Sequence, residues 1–235
     1  MLNRYIELVV SFREAGYEPI FFSELESPNG QLILRHDVDF DCDFAYAMAK
    51  AEKEEGIKST YFFLLTSSNY NLLCPRGIEV VREIGDMGHK VSLHFDYSLY
   101  PNNCEEGLLK EIKLFETIMG TTVDVISLHR PPPGLEPYRH TLLAGYEHSY
   151  LDKFVKDIIY RSDSNNCWQS GNPLKSEQFE QHKSFQLLIH PLLWSTTVDD
   201  MMGKVHQLTL KKQLDMFSYV RKYCSPSKGK GKEPL

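Results

Sequence analysis

The sequence predicts an α/β fold, a distorted seven-stranded (β/α) barrel of the TIM-like kind occupying residues 1–224. Three observations predict it. Short apolar runs alternate with amphipathic segments between residues 31 and 223, the βαβα order of parallel strands joined by right-handed crossovers. Seven such runs in about 200 residues suit a barrel smaller than the eight-stranded form. The polar residues within the runs gather at their C-terminal ends, where a parallel barrel assembles its sites.

Along the chain, Leu2, Ile6, Val9 and Val10 mark an amphipathic first helix. Glu7, Arg13 and Glu14 interrupt that stretch, so it does not read as an export signal. Strands are expected at 31–37, 59–65, 89–94, 124–129, 157–163 and 185–190, with a weaker one around 144–151. Each is short and rich in Ile, Val, Leu, Phe or Tyr. A helix over 43–56 places Phe44, Ala47, Met48 and Ala51 on one face, with Asp41 or Asp43 as its cap and Gly56 as its stop. Helices over 75–88 and 103–120 end in glycine, and the first of them opens on Pro75. Residues 198–223 form a last long helix. The tail 225–235, rich in Lys, Gly, Ser and Pro, is expected to be disordered.

Bulk composition narrows the function classes. The chain has 235 residues, 42% of them hydrophobic, enough for one sizeable core. A net charge of −6 argues against nucleic-acid binding. No apolar run approaches the roughly 18–20 residues of a membrane span. The five cysteines are odd in number and lack a Cys-x-x-Cys pair, which fits free thiols in a reducing, cytoplasmic setting. Oligomeric state is left open.

The strand-end residues carry the chemistry. They are Arg35-His36-Asp37-Val38-Asp39, His94-Phe95-Asp96, His129-Arg130, Ser162-Asp163-Ser164 and His190. Imidazoles and carboxylates brought to one mouth can hold a divalent metal that binds and acidifies water. A further carboxylate can accept the water's proton, and a separate His can protonate a leaving group. Arg130 can orient a carboxylate or stabilise developing negative charge. Asp163 either organises the site or starts a turn. Tyr97 and Trp168 either stack on a sugar or pack. His89, at the start of its strand, is expected to be structural. There is no Ser in a Gly-x-Ser-x-Gly turn and no phosphate-binding glycine-rich loop.

These residues resemble a known family. Arg35-His36-Asp37-Val38-Asp39, Gly88-His89-Lys90-Val91-Ser92-Leu93-His94, His129-Arg130-Pro131-Pro132-Pro133-Gly134 and Leu188-Ile189-His190-Pro191 look like the ordered motifs of the NodB-type polysaccharide deacetylases (carbohydrate esterase family 4). They look closest to the divergent HDVD branch found among surface-polysaccharide biosynthesis proteins. The likeness runs from about residue 31 to 195. It implies a metal-dependent hydrolase, with Zn²⁺ as the default ion, that removes an N-acetyl or similar acyl group from a carbohydrate or another N-acylated small molecule.

Carried over by position, Asp37 matches the base, His190 the acid and His94 a metal ligand. Val38 falls where the family has its metal Asp, so Asp39 substitutes by a shift of one residue. Ser98 falls at the second ligand His, and His129 is the candidate replacement. Arg130 and Pro132 match the third motif, with Pro133 in place of its Tyr. The fourth motif corresponds to the stretch from Asp163 to Trp168. Three alternatives stay open for the metal: ligation by Asp39, His94 and His129, ligation by His94 and Asp96, or loss of the ion. A degenerate barrel that binds a glycan or protein partner, and a hydrolase acting on a cyclic amide or a phosphoester, remain as other readings.

Overall fold

The computed structural model describes residues 1–130 and 139–224. Pro131, Pro132, Pro133, Gly134 and the tail 225–235 lie outside them. At the centre is β2 (Gln31–Val38), parallel to β3 (Thr60–Leu64) on one side and β8 (Phe185–Ile189) on the other. With β4 (Lys90–Phe95), β5 (Val125–Leu128), β6 (Glu147–His148) and β7 (Ile159–Ser162), the order is β6-β5-β4-β3-β2-β8-β7. Every pairing is parallel.

The sheet curls into an open barrel. Across the inside, Arg35 on β2 reaches Ser127 on β5, and Gln186 on β8 bonds the Ser149 carbonyl just beyond β6. The expected (β/α) barrel is therefore the observed class. The strand expected over 144–151 contracts to β6, and a short β1 (Glu18–Ile20), which the sequence did not signal, pairs with the start of β2.

Strand alternation assigns the two faces of β2. Leu32, Leu34 and Val38 point outward into the large core beneath the helices, whereas Ile33 joins Phe22, Phe62, Val125 and Phe154 in a plug inside the barrel. Arg35, Asp37 and Asp39 continue the inward face above that plug. Position 38 thus faces the helices and position 39 the mouth.

The outer layer comprises α1 (Leu2–Glu14), α2 (Cys42–Glu54), α3 (Pro75–Asp86) and α4 (Cys104–Met119). The short α5 (Asp152–Val155), α6 (Glu177–Glu180) and α7 (Pro191–Ser195) precede a long α8 (Met201–Tyr223). No helix among the described residues is long and apolar enough to cross a membrane. Asp41 caps α2 by accepting from the Asp43 amide at 2.9 Å. The buried stripe of α2 is Cys42, Ala45, Met48, Ala49 and Glu52, with Ala47 exposed, so it is rotated from the expected face.

Glu52 is the reason for that rotation. It is fully buried and accepts from Tyr61 Oη at 2.6 Å, Ser59 Oγ at 2.7 Å and Tyr5 Oη, with His36 Nε2 at 2.8 Å. His89 closes the cluster, its Nδ1 2.8 Å from Ser59 Oγ and its Nε2 3.0 Å from the Ala49 carbonyl. Burial pushes the Glu52 carboxyl up, but the His36 ring and the donated hydrogen bonds outweigh it and hold the pKa at about 2.

Glu52→Ala strands several buried donors and should cost about 3–5 kcal/mol, read by urea unfolding at neutral pH. Because the folded pKa lies below the ordinary 4.5, the contribution of Glu52 is complete above that value and fades as pH falls towards 2. Glu52→Gln should accordingly flatten the acid limb of the stability profile. An unaltered acid limb would contradict this assignment.

Candidate active site

At the C-terminal end of the strands a cleft of about 670 Å³ opens over Asp37, Asp39, His94, His129 and His190. Beneath them Arg35 is buried, and it grips Asp37 with two parallel bonds, Nε to Oδ1 at 3.0 Å and Nη2 to Oδ2 at 2.7 Å. The Arg35 guanidinium also donates to Ser127 Oγ at 2.7 Å and lies 4.6 Å from the centre of the Tyr150 ring. Ser127 in turn donates to Asp37, with both oxygens at 3.1 Å. Burial favours the neutral acid, but the Arg35 charge prevails and holds Asp37 far below the usual carboxylate range.

His94 is buried with its Nδ1 3.2 Å from the Ser127 carbonyl, which assigns the proton to that nitrogen. Its Nε2 faces Asp39 Oδ1 at 3.2 Å and Asp37 Oδ2 at 3.6 Å. His129 is arranged in the same way: its Nδ1 lies 3.1 Å from Asp96 Oδ2, leaving Nε2 available. The two rings meet edge to face with centroids 5.0 Å apart. One ligand atom from each of Asp39, His94 and His129 can be chosen so that all three lie within 4.8 Å of one another.

The donor set fits a divalent cation. Ligands of a tetrahedral zinc, with bonds of about 2.0–2.1 Å, stand roughly 3.3 Å apart, and the Asp39–His94 pair already has this spacing. Asp39 Oδ1 is buried and makes no hydrogen bond, although His94 Nε2 lies 3.2 Å from it. A lone pair on Nε2 directed at two carboxylates is unfavourable unless a cation or a second proton lies between them. Without a cation, Asp37 and Asp39 raise the His94 pKa against the opposing effect of burial, while His94 lowers that of Asp39 against the same effect.

Across the cleft His190 is held by Asp163. Its Nδ1 is 2.6 Å from Asp163 Oδ1, its backbone amide donates to the same carboxylate, and Trp194 Nε1 donates to Oδ2 at 2.7 Å. The His190 Nε2 lies 3.7 Å from Asp39 Oδ2. Burial disfavours the imidazolium, but the Asp163 charge and hydrogen bond overcome it and raise the pKa to about 9.

Five of the six sequence-derived site residues therefore share one mouth as a tight group. Arg130 is exposed at its rim with φ of +50°, and the guanidinium that grips Asp37 belongs to Arg35 instead. Asp96 serves His129 and the Ser98 amide and hydroxyl, so it stands behind the cluster. Tyr97 packs at the edge of the outer core, and Trp168 packs against Trp194 with centroids 6.3 Å apart.

No protein-family model matches the chain, and no curated protein matches it. Solved structures of similar shape exist. A family 4 carbohydrate esterase from Bacillus anthracis is 11% identical over 91% of this chain and 86% of its own, with a TM-score of 0.45. The chitin deacetylase from Colletotrichum lindemuthianum is 16% identical over 83% of this chain and 86% of its own, with a TM-score of 0.46. A CE4 family pseudoenzyme, also from Bacillus anthracis, is 14% identical over 83% of this chain and 68% of its own, with a TM-score of 0.43. Likeness at this level leaves the chemistry to be read from the side chains.

Arg35 stands in the strand-end run with no role assigned by the sequence, and Ser127 and Trp194 are not singled out there. Strand alternation carried a signal for the first, since Arg35, Asp37 and Asp39 share one face. Trp194 stands four residues after His190, one helical turn along α7.

Proposed function

We propose that this protein is a metal-dependent hydrolase that removes an acyl group from the nitrogen of an N-acylated sugar or a similar carbohydrate intermediate. One observation carries the reading: the Nδ1 atoms of His94 and His129 are both committed to acceptors, which leaves their Nε2 atoms free, and a ligand atom of each ring lies within 4.8 Å of an Asp39 oxygen. Asp39, His94 and His129 are the ligand set, with Zn²⁺ the default ion. When bound, the ion supplies Lewis acidity, acidifying water and polarising an amide carbonyl.

The remaining steps belong to the protein. Arg35 and Ser127 fill about three of the roughly four lone-pair sites of Asp37, leaving one to accept the proton of an attacking water. The Arg35 charge keeps Asp37 ionised and so able to accept a proton, at some loss of basicity. His190 stands on the other side of the cleft, aimed by Asp163, and donates a proton to the departing nitrogen. Arg130 at the rim adds positive charge for an anionic portion of the substrate or for the oxygen that gains charge.

Acetate release from panels of N-acetylated sugar nucleotides and oligosaccharides tests this reading. Activity should vanish on chelation and return with Zn²⁺. A protein that takes up no metal and releases no acetate from any of them would overturn it. The acid role has its own signature. Activity should fall as pH rises through the His190 pKa, because His190 must carry its proton, and the Asp163 charge and hydrogen bond place that pKa above the ordinary imidazole range. Asp163→Asn should move that fall towards the ordinary imidazole range, and an unmoved upper limb would contradict the role.

A second reading is a glycan-binding barrel without turnover. Ser98 favours it, since it occupies the position of the second ligand His in the resemblance and bonds Asp96 instead. Glycan binding that survives both chelator and Asp37→Asn, in the absence of turnover, would support this alternative.

A further inference from the structure

The C-terminal half of α8 leaves the body of the protein. Lys204 and Leu208 are its buried residues, and every residue from Gln213 to Cys224 is exposed. The eleven helical residues from Gln213 to Tyr223 extend roughly 16 Å. At 100° per residue, Leu210, Leu214, Phe217 and Val220 lie on one side, and Met216, Tyr219 and Tyr223 adjoin them. Met216 is 70% exposed, Leu214 64%, and Phe217 and Tyr219 62% each. The polar side is the one turned to the body, where Lys211 meets Asp43 at 2.8 Å and Asp41 at 3.3 Å. A contiguous apolar face of this kind marks an interaction site rather than ordinary surface.

Charge identifies the partner. Residues 211–235 carry seven Lys or Arg against two Asp or Glu, a net of +5, which leaves −11 on residues 1–210. Basic residues follow the apolar face at its C-terminal end: Arg221, in line with Leu214 and Phe217, and Lys222 on the last turn, then Lys228, Lys230 and Lys232 in the sequence beyond. A helix with an aromatic apolar face and basic margins suits the headgroup region of an anionic bilayer, with Tyr at the interface and long cationic side chains reaching phosphates.

A second copy of the chain fits less well. Two +5 segments repel when their arms pair. The other large apolar residues exposed among the described residues are Leu73, Leu99, Leu109, Leu114, Leu142 and Met202, which belong to several different elements. We propose that the exposed half of α8, with Arg221 and Lys222 on its last turn, docks this protein on an anionic lipid surface. The docking is peripheral and independent of the chemistry in the cleft.

Flotation of the full chain with phosphatidylcholine vesicles, with and without phosphatidylglycerol, provides the test, alongside light scattering of the free protein. Binding should require the anionic lipid and weaken with salt. Leu214→Glu with Phe217→Glu should reduce binding about tenfold or more, as should Arg221→Glu with Lys222→Glu. These side chains are exposed, so the melting temperature should not move. Failure to bind phosphatidylglycerol vesicles, equal binding to neutral ones, or a dimer that Leu214→Glu with Phe217→Glu dissociates without any vesicle binding would each overturn the proposal.

Discussion

His94→Ala should abolish both metal uptake and turnover while leaving the fold in place. The side chain stands above the interior plug, and among the described residues its ring bonds one backbone carbonyl, faces two carboxylates and meets the His129 ring. Loss of a group that merely orients a metal ligand lowers affinity or activity by about 10–100-fold, and Asp96→Asn, which releases His129, should fall in that range. Loss of a ligand should exceed it. Equilibrium dialysis against Zn²⁺, with circular dichroism as the folding control, measures both effects. A His94→Ala protein that keeps stoichiometric zinc would remove His94 from the ligand set.

Arg35→Met should destabilise the fold about as much as Glu52→Ala. It leaves the Asp37 carboxylate buried with only Ser127 for support, which typically costs about 3–5 kcal/mol. The sign of the pH dependence follows. Arg35 depresses the Asp37 pKa, so the stability it contributes is present above the ordinary carboxylate range and is lost only at strongly acidic pH. In Arg35→Met that loss should begin at higher pH. The double change Arg35→Met with Asp37→Leu removes both charges and should recover much of the stability without recovering activity. Urea unfolding across pH distinguishes the two variants. Equal stability of the single and double variants would contradict the buried pairing.

The barrel was legible because its strands are continuous apolar runs whose polar residues appear only at the C-terminal ends. Asp37, Asp39, His94, His129 and His190 were legible for that reason alone. What stayed hidden was long-range. Arg35 looks like one more strand-end charge until β5 brings Ser127 and the segment after β6 brings Tyr150. Glu52 sits in a run of surface charges, Lys53, Glu54 and Glu55, and its hydroxyl partners come from α1, β3 and the residue before β3. The three residues of β1 include Pro19 and have no periodicity to detect. For Asp163, the local sequence read equally well as a turn, and only the approach of His190 and Trp194 gives its carboxylate a task.

Anomalous diffraction at the zinc edge, from crystals grown with Zn²⁺, tests the central claim most directly. One strong peak is expected in the cleft, bonded to Asp39, His94 Nε2 and His129 Nε2, with Asp37 and His190 on either side and not bonded to the ion. A cleft without a peak, or an ion held by a different set of residues, would contradict it.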